Sequence, residues 1–343
     1  VKLLIIKDVI SCVDKTHPKL GNLFAFSLLS AMTRNTLLTV GVPSSGKTTV
    51  NKALLKLFEN SLYEEGLTLS SFRHKANELN NFNGLLVIDD LSKIDTVYSR
   101  RGTVTAFCGL AYDGYTSKGV EKYYFKIHDF NGSIIVGLQP QMVREISIDS
   151  RWETVVRDKS IRYYHFFFPT KPNFDEINVK EISEIIPKPK LVTEKVDINE
   201  LKKLESYNSL YVNFELQSSP ARSDEKIAKL LSSLSYLENK SVDDEMILML
   251  EKMTKPLLLE QFLLIKHDFE VDKTFHNNLF YLITGMLSLN SPSLKEFYKI
   301  WGVSDTHLRR LINIYEDYFY IFENVIYPSE KFLRLREVVD PYV

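Results

Sequence analysis

Four short apolar runs punctuate the first half of the chain. Asn35-Thr36-Leu37-Leu38-Thr39-Val40 closes at Gly41, and residues 85–88, 133–138 and 163–168 follow at wide intervals. Runs of four to six apolar residues bounded by glycine, acid or proline predict buried strands. Between them, Ala53, Leu54, Leu57 and Phe58 share one side of a helical period over residues 48–58, and residues 1–33 read as two helices broken at His17-Pro18. Buried strands alternating with helices predict an α/β fold, with a parallel sheet covered on both faces.

The pattern changes after Pro169. Residues 170–200 carry Pro172, Pro187 and Pro189 among many lysines and glutamates, and Ser218-Ser219-Pro220 makes a further break. Beyond it Ile227, Leu230, Leu231, Leu234 and Leu237 fall at helical spacing. Asn290-Ser291-Pro292-Ser293 breaks the chain again. The expected organisation is therefore a core over residues 1–169, a connector over 170–220, a helical domain over 221–289 and a last unit over 290–343. A length of 343 residues agrees with two or three domains.

Composition narrows the chemistry. A net charge of −1 gives no overall basic surface, so any nucleic acid must be held by local patches or loops. The two cysteines, Cys12 and Cys108, lie far apart in no ligand spacing, which disfavours a disulfide framework and a zinc site. The apolar opening Val1-Lys2-Leu3-Leu4-Ile5-Ile6 meets Lys7-Asp8 too soon to span a bilayer. The expectation is a soluble, cytoplasmic protein with no membrane partner.

The chemistry gathers where the first run ends. Gly41-Val42-Pro43-Ser44-Ser45-Gly46-Lys47-Thr48, followed by Thr49, has the spacing Gly-x4-Gly-Lys-Thr between a predicted strand and a predicted helix. Glycines let successive backbone N–H groups curl inward around phosphate oxygens, and the helix adds its positive end. Lys47 is placed to reach the β- and γ-phosphates, and Thr48 to offer a hydroxyl to Mg2+. The expected ligand is ATP. Asp89 and Asp90 close the apolar run 85–88, with Asp89 expected to hold Mg2+ and Asp90 to polarise the attacking water. Gln139 closes the run 133–138 and is placed to hydrogen-bond the γ-phosphate or that water.

This order of a Walker A loop, a Walker B strand ending in two acids and a polar strand end resembles the AAA+ ATPases. The compactness of the set, and Asp-Asp in place of Asp-Glu, is similar to the superfamily 3 helicases of viruses and plasmids. Gln139 departs from that family's usual asparagine. The resemblance implies a P-loop fold and an arginine finger reaching a neighbouring subunit. Arg162, just before the run 163–168, is the first choice for that finger, with Arg157 and Arg151 behind it. It implies in turn a homo-oligomer, a ring of six by analogy, and a lid-like role for residues 221–289, in which Arg222 resembles a lid arginine.

Two further segments bear on a DNA partner. Alternating β-formers around Lys118-Gly119 predict a hairpin. In the resembling rings such a hairpin grips DNA in the pore, through Lys118 at its tip and Lys122, with Tyr115 or Tyr123 stacking on bases. In the last unit, a helix over 293–301, the turn Gly302-Val303-Ser304 and a helix over 305–317 resemble a helix-turn-helix. Residues 320–327, turning at Glu323-Asn324, supply a wing. Arg309 and Arg310 on the second helix are the candidate duplex contacts, although the unit's acids about equal its bases. The implied activity is a DNA helicase or translocase. A replication initiator or helicase loader, and a regulatory ATPase without motor activity, are the alternatives.

Overall fold

In a computed structural model, which describes residues 4–68, 71–120, 123–169, 175–266, 273–289 and 291–343, the apolar runs become the middle of a five-stranded parallel sheet. Helices α1 (Ile5–Thr16) and α2 (Gly21–Ala31) precede strand β1 (Thr36–Gly41) and helix α3 (Lys47–Leu57). Then come β2 (Ser61–Glu64), α4 (Phe72–Leu79), β3 (Leu85–Ile88) and α5 (Val97–Asp113). A hairpin of β4 (Thr116–Val120) and β5 (Tyr123–Ile127) leads to β6 (Ser133–Leu138), α6 (Pro140–Ser147), the single turn α7 (Arg157–Lys159) and β7 (Ser160–His165).

The strand order is β2-β3-β6-β1-β7, all parallel. β7 begins three residues earlier than the apolar run suggested. Its register, Thr36 against Ser160 through Gly41 against His165, places Arg162 inside the strand.

Side chains alternate between two cores, as the period of two requires. Leu38, Val40, Leu86, Ile88, Ile134, Val136 and Tyr164 face one. Leu37, Leu85, Val87, Ile135, Ile161 and Tyr163 face the other, with α1, α2 and α3. Burial on both faces explains why these strands read as continuous apolar runs.

The rest of the chain fills out these two cores, so the expected boundaries at 170, 220 and 289 do not mark breaks in packing. Helices α8 (Val179–Ile185), α9 (Ile198–Leu201), α10 (Tyr207–Glu215), α11 (Pro220–Glu238) and α12 (Asp244–Thr254) cover the second face. The stretch expected to be a connector buries Ile182, Leu201, Tyr207, Leu210 and Phe214 there. Leu257 belongs to that core and Leu258 to the opposite one, so the chain changes face between them.

Helix α13 (Leu259–Leu263), the strand pair β8 (Leu264–Lys266) and β9 (Lys273–Phe275), and α14 (Asn277–Ser288) then join the first face. They continue into α15 (Leu294–Trp301), α16 (Asp305–Ile314), the hairpin β10 (Phe319–Phe322) and β11 (Val325–Pro328), and α17 (Glu330–Val339). Ser293 and Glu296 cap α15 reciprocally, and Ser304 caps α16 through His307 N–H. Glu323 and Asn324 turn the last hairpin with φ of 48° and 64°, the left-handed pair that two-residue hairpin turns require. Among the described residues no helix is long and apolar enough to cross a membrane.

At the outer, covered edge of β7 a side chain stands in for a strand. The Arg162 N–H donates to Gln217 Oε1 (3.0 Å), and Gln217 Nε2 donates back to the Arg162 carbonyl (2.7 Å).

Candidate functional site at the carboxyl edge of the sheet

β1, β3 and β6 are neighbours, so their carboxyl ends deliver Gly41, Asp89 and Gln139 to one edge. The loop after β1 is wound tightly. Ser44 and Gly46 have φ of 59° and 91°. A Cβ on Gly46 would meet Leu20 at 2.6 Å, so this position needs glycine for both conformation and space. The Ser45 N–H closes the loop on the Val42 carbonyl at 3.3 Å. Helix α3 starts at once with Lys47, so its unsatisfied N–H groups open at the loop.

Lys47 folds back over this loop. Its ammonium donates to the Gly41 carbonyl (2.7 Å), the Val42 carbonyl (2.9 Å) and Ser45 Oγ (3.3 Å). Burial pushes its pKa down to about 8, against the opposing pull of Asp90 and Asp89. Thr48 Oγ1 donates to Asp89 Oδ2 at 3.0 Å, joining the two halves of the predicted site.

Asp89 takes two further donors, Asn51 Nδ2 on Oδ1 (3.2 Å) and the Tyr63 hydroxyl on Oδ2 (3.1 Å). Burial and the Asp89 charge push the Tyr63 phenol up to about 12, so it remains a donor. Asp90 caps the short turn after β3 by accepting from Ser92 N–H (2.8 Å), and its other oxygen lies 3.4 Å from Gln139 Nε2. β3 and β6 approach this closely because Gly137 has no side chain: a Cβ there would lie 2.1 Å from the Asp89 carbonyl oxygen.

Residues 43–49, Asp89, Asp90 and Gln139 line one cleft of about 720 Å³. The turn His17-Pro18-Lys19-Leu20 between α1 and α2 and the pair Phe167-Phe168 also line it. Lys19 has a φ of 68° and lies over the Tyr342 ring at 4.0 Å. His165 also lines the cleft, buried, with no partner at Nε2. Burial and the Lys47 charge lower its pKa to about 3, so the ring is neutral.

The arrangement suits an anion that also carries an apolar part, with the helix N-terminus and a cation beside Leu20, Phe167 and Phe168 in one cleft. Among the described residues no cluster of three or more His, Cys, Asp or Glu side chains forms a metal site. A hard divalent cation at this edge would take the Thr48 hydroxyl, the Asp89 carboxylate side and oxygens of its ligand and water, which is ordinary for Mg2+.

Several predicted residues fall elsewhere. Arg162 is fully buried and paired with Glu260, Nε to Oε2 at 2.6 Å and Nη2 to Oε1 at 3.0 Å. It also donates to the carbonyls of Arg157 and Gln217. A guanidinium with its donors spent inside the subunit is not a finger for a neighbour, and that expectation is corrected. Arg157 is engaged with Glu153 and the Leu216 carbonyl, whereas Arg151 is more exposed and pairs with Asp149. Arg222 lies over the Tyr112 ring at 4.0 Å and pairs with Asp158 and Glu225, away from the cleft.

The hairpin exists, but Val120 pairs with Tyr123 and Lys118 with Phe125. Lys118 therefore sits paired within β4 and not at the tip. Lys122 lies outside the described residues. The hairpin docks through Phe125, stacked on Phe72, and leaves Tyr124 67% exposed. On α16, Arg309 is held by Asp305 and by Asn324 of the hairpin turn, while Arg310 is exposed.

Sequence reasoning missed Asn51, Tyr63, His165 and the turn at residues 17–20. Asn51 was accessible in principle, since it lies three residues after Thr48 on one face of a helix. A comparison with protein-family models finds no match, and no curated protein matches the chain.

Proposed function

We propose that the chain is a P-loop ATPase of AAA+ type that works on DNA. The observation that carries this reading is the contact of Thr48 with Asp89 beneath a glycine loop whose lysine is parked on its own carbonyls. A sheet order that brings β1, β3 and β6 side by side supports it. In this reading residues 41–49 cradle the triphosphate and Lys47 exchanges its carbonyl partners for phosphate oxygens. The base occupies the slot between residues 17–20 and Phe167-Phe168. Asp90 and Gln139 hold and polarise the attacking water. Thr48 and Asp89 hold Mg2+, which supplies charge neutralisation at the phosphates.

The helices α15 and α16 and the hairpin β10–β11 support a winged helix in the last unit. The exposed Arg310 is its free candidate for duplex contact. The hairpin β4–β5, with Tyr124 outward, supports a strand-gripping element. If hydrolysis is completed by an arginine from a neighbouring copy, Arg151, half-buried and paired with Asp149, is the least enclosed of the three considered. The motor reading calls for a ring. Duplex binding by Arg310 without strand displacement favours the initiator or loader instead.

The test is ATP hydrolysis with and without single-stranded and duplex DNA, beside mass measurement with ATP bound. Lys47→Ala is expected to abolish ATP binding, and Asp90→Asn to keep binding but lose turnover by about 10²-fold or more. Undiminished ATP affinity in Lys47→Ala refutes the nucleotide site. Hydrolysis by a persistent monomer, indifferent to both DNAs, refutes the DNA motor.

A further inference from the structure

Asp89 is held by more groups than a phosphate site alone needs. Three donors converge on its two oxygens: Thr48 and Tyr63 on Oδ2, Asn51 on Oδ1. They come from two elements that bracket the strand end. Thr48 and Asn51 stand on α3, and Tyr63 on the edge strand β2, where it pairs with Val87. A carboxylate offers about four acceptor positions, so about three are filled.

We propose that Tyr63 and Asn51 are positioning residues that fix the Asp89 carboxylate for the divalent cation that accompanies the nucleotide. The proposal rests on the nucleotide reading above. Thr48 is the donor with a second duty, since its hydroxyl is the group offered to the cation. When it leaves Asp89, Asn51 remains on Oδ1 and Tyr63 on Oδ2. Each oxygen then keeps one anchor and one open lone pair, and the carboxylate plane cannot turn away. Such a carboxylate presents two acceptors in fixed directions, as the water shell of a reluctantly dehydrated cation requires. Without the Tyr63 hydroxyl, Oδ2 has no anchor once Thr48 has moved.

Partners of this kind typically account for about 10–100-fold in metal affinity. The full chain is titrated with ATP in EDTA, and then with Mg2+ at fixed ATP, reading nucleotide affinity by calorimetry. Tyr63→Phe is expected to leave ATP affinity in EDTA within about 2-fold of the parent, and to raise the Mg2+ concentration at half-effect by about 10-fold or more. Asn51→Ala, acting on the other oxygen, is expected to do the same. Mn2+ binding in the presence of ADP, followed by electron paramagnetic resonance, should weaken in parallel.

An unchanged Mg2+ midpoint in both variants overturns the proposal. Equal losses in EDTA and in Mg2+, accompanied by a lower melting temperature, also overturn it, because they assign the two residues a merely structural role. A parent chain that binds no ATP in either condition refutes the nucleotide reading itself and removes the proposal with it.

Discussion

Replacing Arg162 by methionine separates a structural arginine from a catalytic one. The guanidinium makes a two-pronged pair with Glu260, whose side chain is 4% exposed, and donates to two backbone carbonyls. Removing it leaves the Glu260 carboxylate inside the protein with the Tyr164 hydroxyl (2.8 Å) and Gln217 Nε2 (3.4 Å) as neutral partners. Breaking a buried pair from one side costs about 3–5 kcal/mol. At about 2.1 cal/mol/K per residue, 343 residues unfold with an entropy on the order of 0.7 kcal/mol/K, so about 4 kcal/mol lowers the melting temperature by about 6 °C. Glu260→Leu alone should cost a similar amount, because it strands the arginine. The double variant removes both charges and should be more stable than either single one, with a coupling of about 2 kcal/mol or more in a four-protein cycle. Thermal and urea unfolding of the four proteins is the assay. A loss below about 1 kcal/mol in Arg162→Met, with additive behaviour in the double variant, would refute the buried-pair argument.

Two further predictions follow from the cleft. Gly137→Ala places a methyl 2.1 Å from a backbone oxygen that cannot yield without moving β3, so we expect a loss of about 3 kcal/mol in urea unfolding; a loss below about 0.5 kcal/mol contradicts the close approach. His165 is held near pKa 3 against an ordinary 6.5, so below pH 6.5 the unfolded chain binds a proton that the folded chain refuses, and stability falls as pH drops toward 3. At pH 4.5 this amounts to about 3 kcal/mol, and the stability of His165→Gln relative to the parent should rise by that amount between pH 7 and 4.5. A pH-independent difference between the two proteins rules this out.

What could be read from the chain beforehand was whatever depends on neighbours in sequence. The glycine loop, Lys47, Thr48 and the acids at Asp89-Asp90 were legible because buried parallel strands are apolar on both faces and stop abruptly at a polar edge. Ser304 as a cap and the turn at Glu323-Asn324 were legible for the same local reason. Arg162 was misread because a charge beside an apolar run looks like a strand boundary, and its partner Glu260 lies 98 residues away. Tyr63 was missed because β2 is a four-residue edge strand of mixed polarity, and the tyrosine matters only through its contact with Asp89. The region 170–220 reads as a connector because its average composition is polar; its few apolar residues are spaced to bury from short helices. Lys118-Gly119 reads as a hairpin tip because glycine usually marks the turn, whereas both residues are paired within the ladder.

The amide of Gln217 has a consequence for the edge of the sheet. A terminal parallel strand offers its free N–H and C=O groups to any passing chain, and proteins commonly blunt this hazard with charge, proline or a covering helix. Here the edge is covered, and one carboxamide, supplied from the loop after α10, satisfies the Arg162 donor and acceptor that the sheet leaves unpaired. Arg162 and Gln217 are both buried, so a leucine of similar bulk at position 217 would preserve the packing yet leave the Arg162 N–H and carbonyl without partners inside the protein, at about 1–3 kcal/mol for each.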